Sequence, residues 1–117
     1  MNSDLAIETV ACEDGMFVLR VRGRLDARSA PLLSSRCVEL RGQGRRLILN
    51  MSGVTFIASS GIGALLAMVE ECRHAGTKVR FAEVSQPVDS VIRLLNLQQF
   101  LSICASEAQA RGESEAA

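Results

Sequence analysis

The fold is decided by the stretch Leu47-Ile-Leu-Asn-Met-Ser-Gly-Val-Thr-Phe-Ile-Ala-Ser-Ser-Gly-Ile-Gly-Ala-Leu-Leu66. Its first three residues are all apolar, which is typical of a central strand buried on both faces of a sheet. Further along, the apolar side chains recur with the spacing of one helix face, at Ile62, Leu65, Leu66 and Val69. The stretch therefore predicts a buried strand followed by a helix, and it places Ser59 and Ser60 where that helix begins.

A serine at a helix start has two uses. Its hydroxyl can cap the helix by accepting a hydrogen bond from a backbone N–H two or three residues on, which is worth about 0.5–2 kcal/mol relative to alanine. Alternatively, a phosphate on the serine would face the unpaired N–H groups and the partial positive charge of the helix start. The residue types favour the cap, because Ser and Thr are common there, and they leave the phosphate site open.

Further strands and helices surround this stretch. Alternating apolar and polar residues predict two strands, 5–11 and 16–22, and the short turn with Gly15 between them indicates a hairpin. The remaining predicted elements are a helix from Asp26 or Ser29 to about Gly42, a helix 59–75, a strand 78–83 and a helix that begins at Ser85. Residues 100–103 fit either a short strand or a helical turn.

The order β-β-α-β-α-β-α predicts an α/β fold, a small mixed sheet with helices packed mainly on one face. We expect residues 1–106 to form one domain, since 117 residues is an ordinary single-domain length. Residues 107–117 are polar and lack apolar periodicity, which indicates either a frayed helix or a flexible tail. Sites in open sheets form beyond the carboxyl ends of parallel strands, and Ser59 and Ser60 follow such an end.

The composition argues against several classes of partner. Thirteen basic residues balance thirteen acidic ones and the chain has no Trp or Tyr, so neither a basic field nor aromatic stacking favours nucleic acid. No apolar run is long enough to cross a bilayer, and the first residues lack the pattern of a secretory signal. We therefore expect a cytoplasmic protein with no membrane insertion and no nucleic-acid partner.

No cofactor or metal site is expected either. The four cysteines, Cys12, Cys37, Cys72 and Cys104, are scattered, and we interpret them as reduced, small apolar residues. The single His74 would lie about 20 Å from Ser59 if one helix joins them, at about 1.5 Å per residue. Because a Gly-x-Ser-x-Gly elbow is also missing around Ser59, a serine hydrolase is disfavoured and we expect no enzyme.

The stretch from Ile48 to Gly63 resembles the signature of bacterial anti-sigma-factor antagonists of the STAS family, in which a strand, an Asp-Ser-Ser/Thr-Gly-Leu-Gly turn and a helix follow in that order. The step Gly23-Arg-Leu-Asp26 is similar to the Gly-Glu-Leu-Asp step before the first helix of these proteins. The resemblance continues through Gly76-Thr-Lys-Val and through Val88 to Leu95, and it covers roughly residues 5–106.

This resemblance implies a switch protein that binds an anti-sigma factor, usually a serine kinase with a histidine-kinase-like ATP fold, and so releases a sigma factor. The kinase phosphorylates one serine of the turn, which breaks the complex, and a phosphatase restores it. By position, the resemblance assigns the phosphoacceptor to Ser59, with Ser60 as the alternative. It gives Asp26 the place of an acidic residue near the turn.

Ala58 departs from the family pattern, which has Asp immediately before the acceptor serine. The missing carboxylate removes a hydrogen-bond acceptor for the serine hydroxyl and a recognition charge, and it also removes a negative neighbour that would repel a phosphate. The departure favours a second interpretation, in which the chain is a STAS adaptor that binds a fixed partner in a signalling or lipid-transport complex without phosphate control.

A phosphate on Ser59 would break a complex only where the partner covers it, because a charge at a wet rim costs little binding free energy. We therefore expect Ser59 to lie inside the interface, together with the exposed side of the following helix. The predicted partner-binding residues are Asp26, Thr55, Phe56, Ile57, Ala58, Ser59, Ser60, Gly61, Ile62 and Met68.

Overall fold

One sheet organises the part of the chain that the computed structural model describes, which is residues 5–40, 42–44 and 46–112. Its strands and helices, in chain order, are β1 (Leu5–Cys12), β2 (Met16–Leu25), α1 (Ala30–Leu40), β3 (Arg46–Ile57), α2 (Ser59–His74), β4 (Lys78–Ala82), α3 (Gln86–Leu94), β5 (Ile103–Cys104) and α4 (Glu107–Ala110). A short 3-10 turn joins β1 to β2, so the predicted hairpin is confirmed. None of these helices has the length and apolar character that crossing a membrane requires.

The strands lie in the sheet in their chain order, from β1 to β5. β1 is antiparallel to β2, whereas the other neighbours are parallel. Right-handed crossovers that proceed in one direction along a sheet place every connecting helix on the same face. Accordingly, Leu33 of α1, Leu65 of α2 and Ile92 of α3 share one core cluster. The predicted mixed α/β fold, with the order β-β-α-β-α-β-α, is confirmed.

The first half of β3 is buried on both faces, as its apolar run predicts. Leu47 and Leu49 point to the face that α1, α2 and α3 cover, and both are fully buried there. Ile48 points to the opposite face, where it packs with Val18, Ala82 and Ala110. Because α4 supplies Ala110, it covers the part of the second face around Ile48.

A polar network holds α4 against this second face. The Glu107 carboxylate accepts two hydrogen bonds from the Arg20 guanidinium, each of 3.0 Å, and one of 2.6 Å from the Asn50 amide. At the other end of α4, the Ala110 carbonyl accepts from the guanidinium groups of Arg46 and Arg80. For residues 107–110 the sequence allowed either a frayed helix or a flexible tail, and they form a short helix with a buried Ala110. Residues 1–4 and 113–117 lie outside the described residues.

β2 and β3 run further than the sequence predicts. The predicted strand 16–22 ends too early, since β2 continues to Leu25, which pairs with Ile57. The register shifts twice between the two strands, and each shift places one extra residue in β3. The Asn50 side chain supports the first bulge by accepting a hydrogen bond of 2.9 Å from the Ser52 N–H. Bulges interrupt strict alternation, which is the signal that sequence reasoning relies on.

The segment after α3 was only partly predicted. Leu95 follows the last residue of α3 as its C-cap and is half exposed. Residues 98–101 then turn, and a strand of two residues, β5, pairs with Phe81 and Ala82. Residues 100–103, which by sequence fit either a short strand or a helical turn, therefore contain a turn followed by the start of a very short edge strand.

The network around Glu107 predicts a pH-dependent stability. Hydrogen bonds from Arg20, together with its charge, hold the pKa of Glu107 below the ordinary value of 4.5. A lowered pKa means that the carboxylate stabilises the fold above its unfolded pKa, and that this contribution is lost as the pH falls through the folded pKa. We expect Glu107→Gln to lower the free energy of unfolding at pH 7 by about 1–2 kcal/mol, measured by urea denaturation.

The difference between the wild type and Glu107→Gln should shrink as the pH falls below 4.5. Glu8→Gln is the matched control, because the Glu8 carboxylate lies 3.6 Å from the same Arg20 but is exposed. An equal loss of stability in the two variants, or a difference that does not change with pH, would contradict this role of Glu107.

Candidate functional site

A single residue, Ala58, joins β3 to α2. Its N–H donates a 3.0 Å hydrogen bond to the carbonyl of Leu25, and its own carbonyl accepts one of 3.0 Å from the N–H of Ile62. The backbone of Ala58 is extended, so Ala58 is the N-cap and Ser59 is the first helical residue. The interpretation of Ser59 as the cap is therefore wrong, and the residue that occupies the cap position has no side-chain acceptor.

The first turn of α2 leaves its backbone donors unused. No acceptor among the described residues meets the N–H groups of Ser59, Ser60 or Gly61, and the first turn has no acidic side chain. Both serines are exposed. The positive end of the helix therefore faces the surroundings at the point where the two serine hydroxyls lie.

The two glycines of this turn serve different purposes. A Cβ atom on Gly61 would lie 2.6 Å from the carbonyl oxygen of Leu25, so only glycine lets α2 approach the end of β2 this closely. A Cβ on Gly63 would meet nothing within 4 Å, and Gly63 is exposed. The fold requires the first glycine, whereas no contact within the described chain requires the second.

Asp26 caps the turn that leads from β2 into α1. Its carboxylate accepts hydrogen bonds from the N–H groups of Arg28 and Ser29, at 3.0 and 3.2 Å, and the Ser29 hydroxyl accepts one in return from the Asp26 N–H. These bonds, above all the one from the Ser29 backbone, hold the pKa of Asp26 below its ordinary value. The sequence placed the start of this helix at Asp26 or Ser29; Asp26 caps the preceding turn, and α1 begins at Ala30.

Arg24 and Phe56 form an exposed pair beside this turn. They are paired residues of β2 and β3, and the Arg24 guanidinium carbon lies 4.2 Å from the centroid of the Phe56 ring. The same guanidinium lies 4.0 Å from the second carboxylate oxygen of Asp26. A cation over an aromatic face is an attractive pair, and here it presents apolar and positive surface together. Sequence reasoning missed Arg24, although the arginine in Gly23-Arg-Leu-Asp26, where the family pattern has Glu, was the available signal.

The predicted site residues separate into an exposed and a buried group. Thr55, Phe56, Ser59 and Ser60 are exposed at one end of the sheet, and Asp26 and Ala58 are partly exposed there. Met68 was predicted on the exposed side of α2, and this prediction is wrong. Met68 is only 5% exposed and belongs to the core beneath the helices, one turn after Leu65. Ile57, Gly61 and Ile62 are also buried.

We call the exposed residues Arg24, Phe56, Ser59, Ser60 and Gly63 the Ser59 surface.

His74 lies at the opposite end of α2, where its ring is 3.4 Å from the Glu70 carboxylate. Within the described ranges, His, Cys, Asp and Glu side chains form no group of three or more that could hold a metal ion. The Ser59 surface exposes two hydroxyl groups, backbone N–H groups without an acceptor in the described structure, and one guanidinium group.

The model of the STAS domain family matches residues 9–110 of this chain. A protein of Paenibacillus polymyxa named an anti-sigma F factor antagonist is 24% identical over 103 residues, which are 86% of this chain and 88% of that protein.

Solved structures show the same fold. An anti-sigma factor antagonist from Mycobacterium paratuberculosis superposes with a TM-score of 0.81 at 20% identity, over 95% of this chain and 94% of that one. The anti-sigma factor antagonist SpoIIAA, in its unphosphorylated form, gives a TM-score of 0.73 at 21% identity, over 92% and 97% of the two chains. The phosphorylated form of SpoIIAA from Bacillus gives 0.70 at 20% identity, over 92% and 98%.

The different surroundings of the two glycines predict opposite effects of the same substitution. Gly61→Ala forces a methyl group against the Leu25 carbonyl and should lower the free energy of unfolding by about 1–3 kcal/mol. Gly63→Ala adds a methyl group in open space within a helix and should raise it by about 0.5–1 kcal/mol. Urea denaturation measures both, and a loss of stability in Gly63→Ala would contradict the open surroundings of Gly63.

Proposed function

Because this chain belongs to the STAS domain family, we propose that it is an anti-sigma-factor antagonist whose binding is switched off by phosphorylation of Ser59. The partner is an anti-sigma factor that is also a serine kinase with a histidine-kinase-like ATP fold, and a phosphatase reverses the modification. The observation that carries the proposal is the exposed Ser59 at the first residue of α2, beside backbone N–H groups that have no acceptor in the described structure.

The relatives support both parts of the proposal. The Paenibacillus relative, which aligns with most of this chain, is named as an antagonist of an anti-sigma factor. SpoIIAA, which has the same fold, is known in an unphosphorylated and in a phosphorylated form. Antagonism and phosphorylation therefore both occur among proteins of this size and fold.

The fold should tolerate a phosphate on Ser59. The added charge of about −1.5 to −2 would face the positive end of α2, which favours an anion by about 0.3–1 kcal/mol. Ala58 places no carboxylate beside it, and one oxygen of the neighbouring Asp26 carboxylate is already occupied by backbone N–H groups. Phosphorylation should therefore leave the domain folded and should instead lower the affinity for the partner.

A partner that covers Ser59 would have to desolvate this new charge. Converting a complex that is 99% formed into one that is 1% formed needs about 5.5 kcal/mol, which is realistic for a doubly charged group enclosed by a protein surface. The exposed Arg24 and Phe56 extend the Ser59 surface along the ends of β2 and β3. Aromatic and arginine side chains are enriched at the energetic centres of interfaces, and their position beside Ser59 supports an interface there.

Gly63 supplies a second argument for an interface. A glycine in the middle of a helix costs about 0.5–1 kcal/mol relative to alanine. Gly63 has no contact within the described chain that would offset this cost. Close approach of a partner backbone to α2 is a function that only glycine can serve, and it would account for this residue.

A STAS adaptor that binds a fixed partner without phosphate control is the alternative. The observation that favours it is the N-cap Ala58, which gives the Ser59 hydroxyl no carboxylate neighbour. A complex that forms stably and ignores ATP would identify the adaptor.

Phosphorylation and binding can be tested in one experiment. The chain is incubated with ATP and a candidate anti-sigma kinase encoded in the same genome, and intact mass and complex formation are measured on the same samples. We expect the wild type and Ser60→Ala to gain one phosphate and lose the complex, and Ser59→Ala to gain none and keep it. Ser59→Asp should bind more weakly than the wild type. A complex that forms without any phosphate transfer would refute the switch and leave the adaptor.

Gly63→Ala tests the interface independently of phosphate. A methyl group at a closely packed contact should weaken binding of the partner by about tenfold, which corresponds to 1.4 kcal/mol. Because the same substitution should stabilise the free domain, weaker binding would not reflect unfolding. Unchanged affinity, measured by calorimetry on the unphosphorylated chain, would show that α2 does not contact the partner at Gly63.

A further inference from the structure

A column of arginines lies on the second face of the sheet, beyond the part that α4 covers. Val21 and Leu25 of β2 belong to the core beneath the helices. Because the side chains of a strand alternate between the two faces, Arg20, Arg22 and Arg24 lie on the second face. Arg22 and Arg24 are exposed, so no described element covers this end of the column.

The first and the last arginine of the column have acidic partners, and the middle one has none. The Arg20 guanidinium donates to the Glu107 carboxylate, and the Arg24 guanidinium lies 4.0 Å from the Asp26 carboxylate. Within the described ranges of the chain, Arg22 forms no ion pair. Its guanidinium is therefore a cation that the folded domain leaves without a counter-charge.

The neighbours of Arg22 across the sheet explain this isolation. They are Ala6 on β1 and Gly53 on β3, and neither carries a charge. Glu8, two residues from Ala6, is paired with Arg20 in the register and lies 3.6 Å from its guanidinium. The small residues beside Arg22 leave room above the strands for a side chain from another protein.

Gly53 provides the space in which the Arg22 side chain lies. A Cβ atom on Gly53 would be 2.5 Å from Cγ and 3.1 Å from Cβ of Arg22. Gly53 is not among the glycines with positive φ, so this close contact, and not the backbone conformation, requires glycine here. The aliphatic part of Arg22 thus lies against β3, which restricts the side chain and reduces the entropy lost when its guanidinium binds a partner.

Acidic groups on both sides limit the kind of anion that fits Arg22. Glu8 and Asp26 lie near the neighbouring arginines of the column. A nucleic acid or an anionic membrane would bring several phosphates against these carboxylates, and the chain has no net positive charge to offset that repulsion. A protein can instead place one carboxylate at Arg22 and neutral groups beside it. The charge pattern therefore favours an acidic side chain of a protein partner.

The column is continuous with the Ser59 surface. Arg24 belongs to both, and its guanidinium lies 4.2 Å from the centroid of the exposed Phe56 ring. Arg22 is two residues before Arg24, which is about 7 Å along the strand. A partner that covers Ser59 and the Phe56 ring therefore needs to extend by only one more side chain to reach Arg22.

We propose that the partner that covers the Ser59 surface also places an acidic side chain against Arg22, on the open second face of the sheet. This inference rests on the proposed function, because it gives the anti-sigma partner a second contact on this chain. The partner's carboxylate pairs with the Arg22 guanidinium, and Arg24 and Phe56 join the two contacts into one interface. Arg22 then selects partners that have an acidic residue at this position.

Carbodiimide cross-linking of the complex tests the contact directly. The reagent joins an amine to a carboxylate that touches it, and Lys78 is the only lysine of the sequence. Arg22→Lys therefore adds one side-chain amine at the proposed contact, whereas Lys78, exposed at the start of β4, is an internal control. We expect the unphosphorylated variant to form a cross-link from position 22 to an Asp or Glu of the anti-sigma factor, located by mass spectrometry, and none from Lys78.

The affinity of the complex gives a second readout, measured by calorimetry on the unphosphorylated full chain. Arg22→Glu should weaken binding about tenfold, because it replaces an ion pair with two like charges. Arg22→Lys keeps the charge and should bind within about threefold of the wild type. Lys78→Glu is the matched control, since Lys78 is also exposed and forms no ion pair within the described part of the chain, and it should bind as the wild type does. Urea denaturation checks that Arg22→Glu is folded.

Two results would overturn the contact and leave the proposed function standing. One is equal affinity of the wild type and folded Arg22→Glu for the anti-sigma factor. The other is a complex of Arg22→Lys that gives no cross-link from position 22, or one no stronger than that from Lys78. If no anti-sigma factor encoded in the same genome forms a complex with the wild type, the proposed function fails and this inference fails with it.

Discussion

The contact on which the site depends is the close approach of the start of α2 to the end of β2. The carbonyl of Leu25 accepts the Ala58 N–H at 3.0 Å, and the same oxygen lies where a Cβ on Gly61 would be, at 2.6 Å. This contact leaves only one residue between β3 and α2. The helix therefore begins at Ser59, with its first N–H groups turned toward the surroundings and both serines exposed. A bulkier residue at position 61 would move the helix start and the serines together.

This chain carries less negative charge around Ser59 than the family pattern does. That pattern has an acidic residue at the positions of Arg24 and Ala58, and this chain has a cation at one and no charge at the other. In the remaining carboxylate, that of Asp26, one oxygen accepts hydrogen bonds from the backbone of the turn before α1. The other oxygen lies 4.0 Å from the Arg24 guanidinium. The free protein thus offers a phosphate a favourable environment. In a phosphoswitch built this way, the repulsion that breaks the complex must come from the partner, and the partner's surface should be acidic or apolar where it covers Ser59.

Sequence reasoning reached those parts of the structure that follow from periodic burial. The apolar run Leu47 to Leu49 identified the central strand, and the spacing from Ile62 identified α2, because each pattern reports burial directly. The bulges in β3 were not predictable, since they depend on pairing with β2 and, at the first bulge, on a hydrogen bond that the Asn50 side chain accepts from the Ser52 N–H. Met68 was misplaced because the predicted stripe continued from Leu65 through Leu66 and Val69, which are only partly buried, whereas the buried stripe continues through Met68 and Cys72. The sequence left α4 undecided between a frayed helix and a flexible tail, because a single buried alanine and one ion-paired glutamate leave no periodic signal.

The central claim is that the partner covers the start of α2, and hydrogen–deuterium exchange of the complex tests it most directly. In the free, unphosphorylated chain the amides of Ser59, Ser60 and Gly61 have no acceptor among the described residues and should exchange rapidly. With a cognate anti-sigma factor bound, the account predicts strong slowing within residues 54–63 and none in β1. Slowing confined to other elements, with residues 59–61 still exchanging at their free rates, would contradict it.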